Sequence, residues 1–236
     1  MVMSMRALPG RASRATLDAP RASVTRTSAH VDQRRRLLRA VGELVAERGY
    51  SDVTVELIVK RAHVSYKTFY KHYRSKEECF VDLFSIAFQA TEKRIREALQ
   101  EPELSWSDEV VVALRTLVEA IVAEPEMARA VIVESPTVGP AITARYELAT
   151  KAFAPLLRAG REQNPRGPEL PETIEDTLAG AVFWAAYQRL VVGEAEALAE
   201  HLPVLTELIL RTYLGPAEAA RIARAEAAAA PQPAFA

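Results

Sequence analysis

The chain has 236 residues, 49% of them hydrophobic, 26% charged and 7% aromatic, which is enough apolar content for a folded core and excludes wholesale disorder. The formal net charge of -1 conceals an asymmetry: residues 1–80 hold 16 Lys and Arg against 8 Asp and Glu, net +8, whereas residues 81–236 hold 14 against 23, net -9. One end is suited to meeting a polyanion and the other is not.

The longest apolar stretch, Leu178 to Tyr187, is closed by Gln188 and Arg189 and falls short of the roughly 18 residues of a membrane span, so no membrane partner is expected. A single cysteine, Cys79, makes no intrachain disulfide, and His30, His63, His72 and His201 lie too far apart for a metal set. No metal or cofactor is expected, and a reducing, cytoplasmic compartment fits. Residues 1–30 carry five Arg against one Asp without the apolar core of a secretory signal. A disordered basic arm and an organellar transit peptide are the two readings, the arm being favoured because Pro9 and Pro20 interrupt an amphipathic helix.

Glycine is scarce and no run alternates in the manner of a strand, so the expected fold class is all-α. The first helix spans Val31 to Arg48, with Leu37, Leu38, Val41, Leu44 and Val45 on its apolar face, Arg34, Arg35, Arg36 and Arg39 opposite, and Gly49 as its stop. Short helices follow at Thr54 to Ala62, capped by Thr54, and at Tyr66 to Tyr73, capped by Ser65. Ser75 and Glu78 form a capping-box pattern opening a long helix, Lys76 to about Leu99. Ser105 or Ser107 caps a helix to about Ala123, and Pro125 starts a short one to Val133. A helix from Pro140 to Gln163 is predicted to bend at Pro155, and Asn164 to Pro171 is a loop. The last long helices are Glu172 to Val192 and, after a linker containing His201, Pro203 to Leu214. The domain boundaries expected are a basic arm 1–30, a three-helix helix-turn-helix domain 31–75, a larger helical domain 76–215 and a tail 216–236. No Gly-rich phosphate loop and no spacing of acid, base or nucleophile groups points to an enzyme.

Two short helices joined by a brief turn, behind a longer helix and inside a basic segment, make the layout of a helix-turn-helix whose second helix enters the major groove. Tyr66, Lys67 and Thr68 begin that helix, with Lys71 and His72 a turn further on. The blocks Gly49-Tyr50, Thr54-Val55 with Ile58, Ala62-His63-Val64-Ser65, Thr68-Phe69-Tyr70, His72-Tyr73 and Ser75-Lys76-Glu77 together resemble the N-terminal signature of the TetR/AcrR family of one-component transcriptional regulators. The resemblance covers residues 31–84, and the remainder is similar in helix layout only. It implies a TetR-like fold in which Ser65 caps the recognition helix, Thr68 and Tyr70 contact DNA, and Lys76 binds phosphate. Tyr66, Lys67 and His72 then sit where sequence preference varies, and Thr54 and Lys71 complete the DNA-binding set. One residue departs from the pattern: His63 stands where the family usually has Gly, at a cost of order 1 kcal/mol if the backbone there is left-handed.

Packing explains some of these side chains equally well. Phe69 and Tyr73 read as core against Leu44 and Ile58, Tyr70 is open to packing or phosphate contact, and the four arginines read as a solvated face or as phosphate ligands.

For the C-terminal part, the resemblance implies a homodimer through the last two long helices and a small-molecule effector site. Leu178, Val182, Phe183, Leu190 and Val191 on one helix, with Leu205, Leu208, Ile209 and Leu210 on the other, are too many apolar residues for one small core. The candidate effector site gathers Phe84, Phe88, Thr91, Met127, Tyr146, Thr150, Phe153, Phe183, Trp184 and Tyr187, with ordinary core packing as the alternative for each. The function expected is a sequence-specific regulator, a repressor by family analogy, released from a palindromic operator in double-stranded DNA when a hydrophobic or amphipathic ligand binds. A non-specific architectural DNA-binding protein and a helical partner-binding protein without ligand control are the alternatives.

Overall fold

A computed structural model describes residues 19–164 and 167–229, which fold into eleven α-helices with short 3-10 turns and no strand among the described residues. Residues 1–18 of the expected arm (1–30) and 230–236 of the expected tail (216–236) lie outside those residues.

The first helix, α1 (Ala19–Arg48), begins well before Val31, so the residues expected as the last part of a disordered arm are helical. Pro20 does not prevent this because it occupies the first turn, where its missing N–H has no intrahelical partner to lose. Gly49, at φ 78, ends α1 and leads into a 3-10 turn, Tyr50–Asp52. The short helices α2 (Val55–Arg61) and α3 (Tyr66–His72) are each capped as their sequences predict: Thr54 accepts from Leu57 N and Ser65 from Thr68 N. The turn between them passes through His63 at φ 52, the left-handed conformation that its place in the pattern requires.

α4 (Lys76–Ala98) is capped by Ser75, but the Glu78 carboxylate reaches back to Arg74 N rather than closing a box on Ser75. α5 (Trp106–Ala123) has a full capping box between Ser105 and Asp108. α6 (Pro125–Ile132) follows. The helix expected from Pro140 to Gln163 is two, α7 (Pro140–Lys151) and α8 (Ala154–Gln163). A proline ring clashes with the carbonyl four residues back, here that of Lys151, so Pro155 breaks the helix at α7's last residue and starts α8 instead of bending one rod. α9 (Ile174–Val192) stops at Gly193, φ 79. α10 (Leu198–Leu214) starts earlier than Pro203, which sits inside it, and so carries His201 on a helix rather than in a linker. The expected tail contains α11 (Pro216–Ala229), which packs on α10; Ala219 and Ala223 are buried, and Glu226 forms an ion pair with Arg115 of α5.

Two apolar clusters hold the chain together. The first gathers Leu37, Val41, Leu44 and Val45 of α1 with Ile58, Phe69 and Phe80, and extends to Ala130, Ile142 and Ala149 of α6 and α7. The second joins α5, α8, α9, α10 and α11 around Leu114, Leu178, Leu202, Leu210 and Tyr213. α1, which carries α2 and α3, is therefore seated on α6 as well as on α4, and α7 packs on α4. Cys79 lies in the first cluster with no exposed surface, and burial, followed by the negative charge of Asp82, pushes its thiol well above the ordinary range.

Candidate nucleic-acid interface and effector cavity

The second helix of the pair, α3, is fixed from below. Phe69 is fully buried and Tyr73 nearly so, both in the first cluster with Leu44 and Ile58. The Tyr73 hydroxyl donates to Asp82 Oδ2 at 2.6 Å, and the Arg34 guanidinium clasps the same carboxylate at 2.7 and 3.0 Å. This bracket ties α1, the end of α3 and α4 to one another, and burial followed by the bond to Asp82 pushes the Tyr73 phenol up beyond any physiological pH.

With its underside anchored, α3 turns Tyr66, Lys67, Tyr70 and Lys71 outward. Tyr66 is 48% exposed and Tyr70 58%, so Tyr70 is not packed into the core. Among the described residues no carboxylate pairs with the ammonium of Lys67 or Lys71. Ser65 and Thr54 are exposed at the N-termini of α3 and α2. The half-buried Thr68 places its Oγ1 3.0 Å from Ser65 Oγ. A short exposed helix with ammonium and phenol groups on one side and hydroxyls at its N-terminus suits a groove lined by phosphates.

Two residues of the expected set lie elsewhere. His72 turns back toward α1, its ring 4.0 Å from that of His30 and its Nε2 buried without a partner. Burial, then the neighbouring His30, Arg34 and Lys71, lower its pKa. The Lys76 ammonium, expected to meet phosphate, instead donates to the carbonyls of Tyr50 at 3.0 Å and Val53 at 2.8 Å, with Ser51 at 3.4 Å, and lies 4.4 Å from the Tyr50 ring centre. A lysine long enough to reach phosphate is also long enough to cap the carbonyls of the preceding 3-10 turn, and sequence spacing does not distinguish the two. The arginines of α1 also have intramolecular partners: Arg35 pairs with Asp32, Arg39 with Glu43, and Arg36 donates to His63 O.

A cavity of about 290 Å3 opens between α4, α5, α6, the α7–α8 break and α9. Phe84, Phe88, Thr91, Met127, Phe153 and Phe183 line it as expected. The Thr91 hydroxyl donates to Ala87 O within its own helix. Trp184 and Tyr187 do not line it: they stack in parallel with ring centres 5.3 Å apart, and Trp184 is 59% exposed. Consecutive helix residues point about 100° apart, so when Phe183 faces in, Trp184 faces out, while Tyr187, a turn later, is half-buried against the second cluster. The side chains of Tyr146 and Thr150 lie outside the described residues. The sequence reading missed Leu117 and Ile121 of α5 and Ile95 of α4, whose helical spacing carries a signal indistinguishable from core.

The expected dimer residues divide likewise. Leu178, Val182, Leu190, Leu205, Ile209 and Leu210 are buried within the chain, and Phe183 faces the cavity. Val191 and Leu208 are exposed as expected, and beside them so are Trp184, Val192 and Val204, an apolar face across α9 and α10.

The cavity and the recognition helix share their supports. α4 bears Phe84 and Phe88 toward the cavity and Asp82 toward Tyr73. α6 bears Met127 toward the cavity and against Gly42 of α1, and just beyond it Glu134 accepts from Tyr50 N at 2.9 Å.

Residues 37–83 match the sequence profile of bacterial regulatory proteins, tetR family. The uncharacterized HTH-type transcriptional regulator YhgD of Bacillus subtilis (strain 168) is 29% identical over 89 residues, 38% of this chain and 46% of that protein. A second from the same organism, YdgC, is 32% identical over 90 residues, 37% of this chain and 46% of that protein. The chain thus spans about half the length of the curated relatives it matches. Among solved structures, the fatty acid degradation regulator FadR from Bacillus halodurans superposes with a TM-score of 0.64 at 17% identity, covering 73% of this chain and 94% of that one. A TetR family transcription regulator from Marinobacter aquaeolei VT8 superposes with a TM-score of 0.62 at 21% identity, covering 79% of this chain and 98% of that one.

Proposed function

We propose, from the premise that the chain belongs to the tetR family of bacterial regulatory proteins, that it is a homodimeric repressor released from a palindromic operator by a small apolar or amphipathic ligand. The observation that carries the DNA-binding part is α3 itself: buried Phe69 and Tyr73 hold it, while Tyr66, Lys67, Tyr70 and Lys71 stand free on its outer side. Ser65, Thr54 and Thr68 supply hydroxyls and helix N-termini for phosphate, and Lys67 with Tyr66 reads base edges.

One such helix contacts too little DNA for selective binding, and the exposed face of Trp184, Val191, Val192, Val204 and Leu208 supports pairing of two copies. Two recognition helices then meet half-sites about 34 Å apart or a multiple of it. Ligand in the cavity acts through α4 and α6, whose far contacts are the Tyr73–Asp82–Arg34 bracket and the Glu134–Tyr50 hydrogen bond. Only a difference in ligand affinity between the DNA-bound and released arrangements can drive release, and a coupling of about 1–3 kcal/mol is ordinary for such systems.

The test is selection of bound sequences from a random duplex library at about 150 mM salt, where non-specific binding is weak. A palindromic motif is the expected result. A folded dimer that enriches no sequence would reject the sequence-specific reading.

A further inference from the structure

The apolar interior holds a second chamber beyond the cavity already described, and the two lie in series along α5. The larger faces Leu117, Ile121 and Glu124 of that helix; the smaller, about 30 Å3, faces Val110, Leu114 and again Leu117. At 1.5 Å per residue, Val110 and Glu124 are about 21 Å apart along the helix, so the combined space is long and narrow. Phe153 and Phe183 line both chambers and meet edge to face, ring centres 6.4 Å apart at 70°, as a partition between them.

The chemistry changes along this length. Among the described residues the charged side chains of the lining, Glu92, Arg94, Arg96 and Glu124, all belong to the larger chamber, and they are 45 to 64% exposed, which places them at its open end. The only hydroxyl in the lining among the described residues, that of Thr91, is spent on its own helix. Among the described residues the inner chamber has no polar side chain in its wall, and an apolar space the size of one water molecule stays dry. On one side the partition rests on a residue outside both helices: Phe153 sits in the break between α7 and α8.

Building on the effector-cavity reading above, we infer that the ligand is a linear-chain amphiphile. Its polar head stays among the charges at the mouth, and its hydrocarbon tail runs along α5 to Phe153 and Phe183. Chains beyond a threshold length displace that partition and occupy the inner chamber. A compact fused-ring compound fills the outer chamber but cannot thread the partition, so the geometry selects tail length.

The test uses the full chain and a series of straight-chain alkanoates from hexanoate to tetradecanoate, below their critical micelle concentrations, measured by calorimetry and by displacement of N-phenyl-1-naphthylamine. Each added methylene should tighten binding about fourfold while the tail remains in the outer chamber. At the partition the increments should stall, then resume for about one or two methylenes, the length that the inner chamber and the space vacated by the displaced rings admit, and cease beyond that. In Phe183→Ala the stall should vanish, and in the milder Phe153→Leu it should shrink, with thermal melts confirming that both variants are folded. An alkyltrimethylammonium series should show the stall at the same tail length, because the tail and not the head sets it. Uniform increments in the wild type and both variants, or tighter binding of deoxycholate than of any alkanoate, would overturn the linear-chain assignment while leaving an effector cavity in place. Absence of any probe or amphiphile binding to a folded, DNA-competent dimer would reject the cavity reading itself and this inference with it.

Discussion

His63 illustrates how a single residue can be correctly flagged by sequence and explained by geometry. Its place in a turn that favours glycine predicts a left-handed backbone, and φ is 52. His63→Gly should therefore raise stability by about 0.5–1 kcal/mol, the relief of left-handed strain less the added freedom of the unfolded chain, read as a higher urea midpoint. Lys76 is the opposite case, because its type and spacing fit phosphate while its three nearest carbonyls belong to its own chain. Lys76→Met should cost about 1–3 kcal/mol of stability and leave the salt dependence of DNA binding unchanged, whereas Lys67→Ala should leave stability alone and change which sequences are enriched. His72 gives a pH dependence. Its folded pKa is lowered, by burial first and then by His30, so the unfolded chain takes up a proton before the native one does. The stability it contributes is full above about pH 6.5 and declines as pH falls below it. His72→Gln should flatten that part of the pH–stability curve, and an unchanged slope would show that His72 stays solvated in the native state.

Among the helices, those with local signals were legible from sequence and those decided by tertiary partners were not. Thr54, Ser65, Ser75 and Ser105 announce the starts of α2, α3, α4 and α5 because a hydroxyl beside an apolar period has an immediate local use. The break between α7 and α8 was legible only as a bend, since whether a proline kinks or splits a helix depends on what packs around it. α11 was not legible as a stable helix: its alanines reveal their worth only when Ala219 and Ala223 close onto α10, and Glu226 finds Arg115 from α5. Ending the chain at Gly215 should therefore lower the melting temperature by several degrees, each kcal/mol shifting a chain of this size by about 2–4 °C. The loop beyond α6 matters for the same reason. Glu134→Ala leaves the Tyr50 N–H without its carboxylate and should cost about 1–2 kcal/mol, with amide exchange at Tyr50 rising more than at neighbouring residues.

At the scale of the molecule, charge asymmetry and helix order gave the architecture, while the allocation of apolar side chains among core, cavity and exposed face required the structure. Phe183 and Trp184 show why: adjacent in sequence and equally apolar, they part by about 100° around α9, one inward and one to the surface. If the proposed homodimer forms through this face, Trp184→Arg together with Leu208→Arg should convert it to monomer in sedimentation while leaving the helical content unchanged. A dimer that persists would move the subunit face elsewhere. The single buried thiol gives the molecule an internal clock. Cys79 lies under the helices that present α3, and a thiol held protonated and out of solvent reacts with an alkylating reagent only when those helices part. Its labelling rate, read as one mass increment per chain, therefore counts openings of the DNA-facing end on its own, and comparing that rate with global unfolding tells whether this end opens alone or only with the rest.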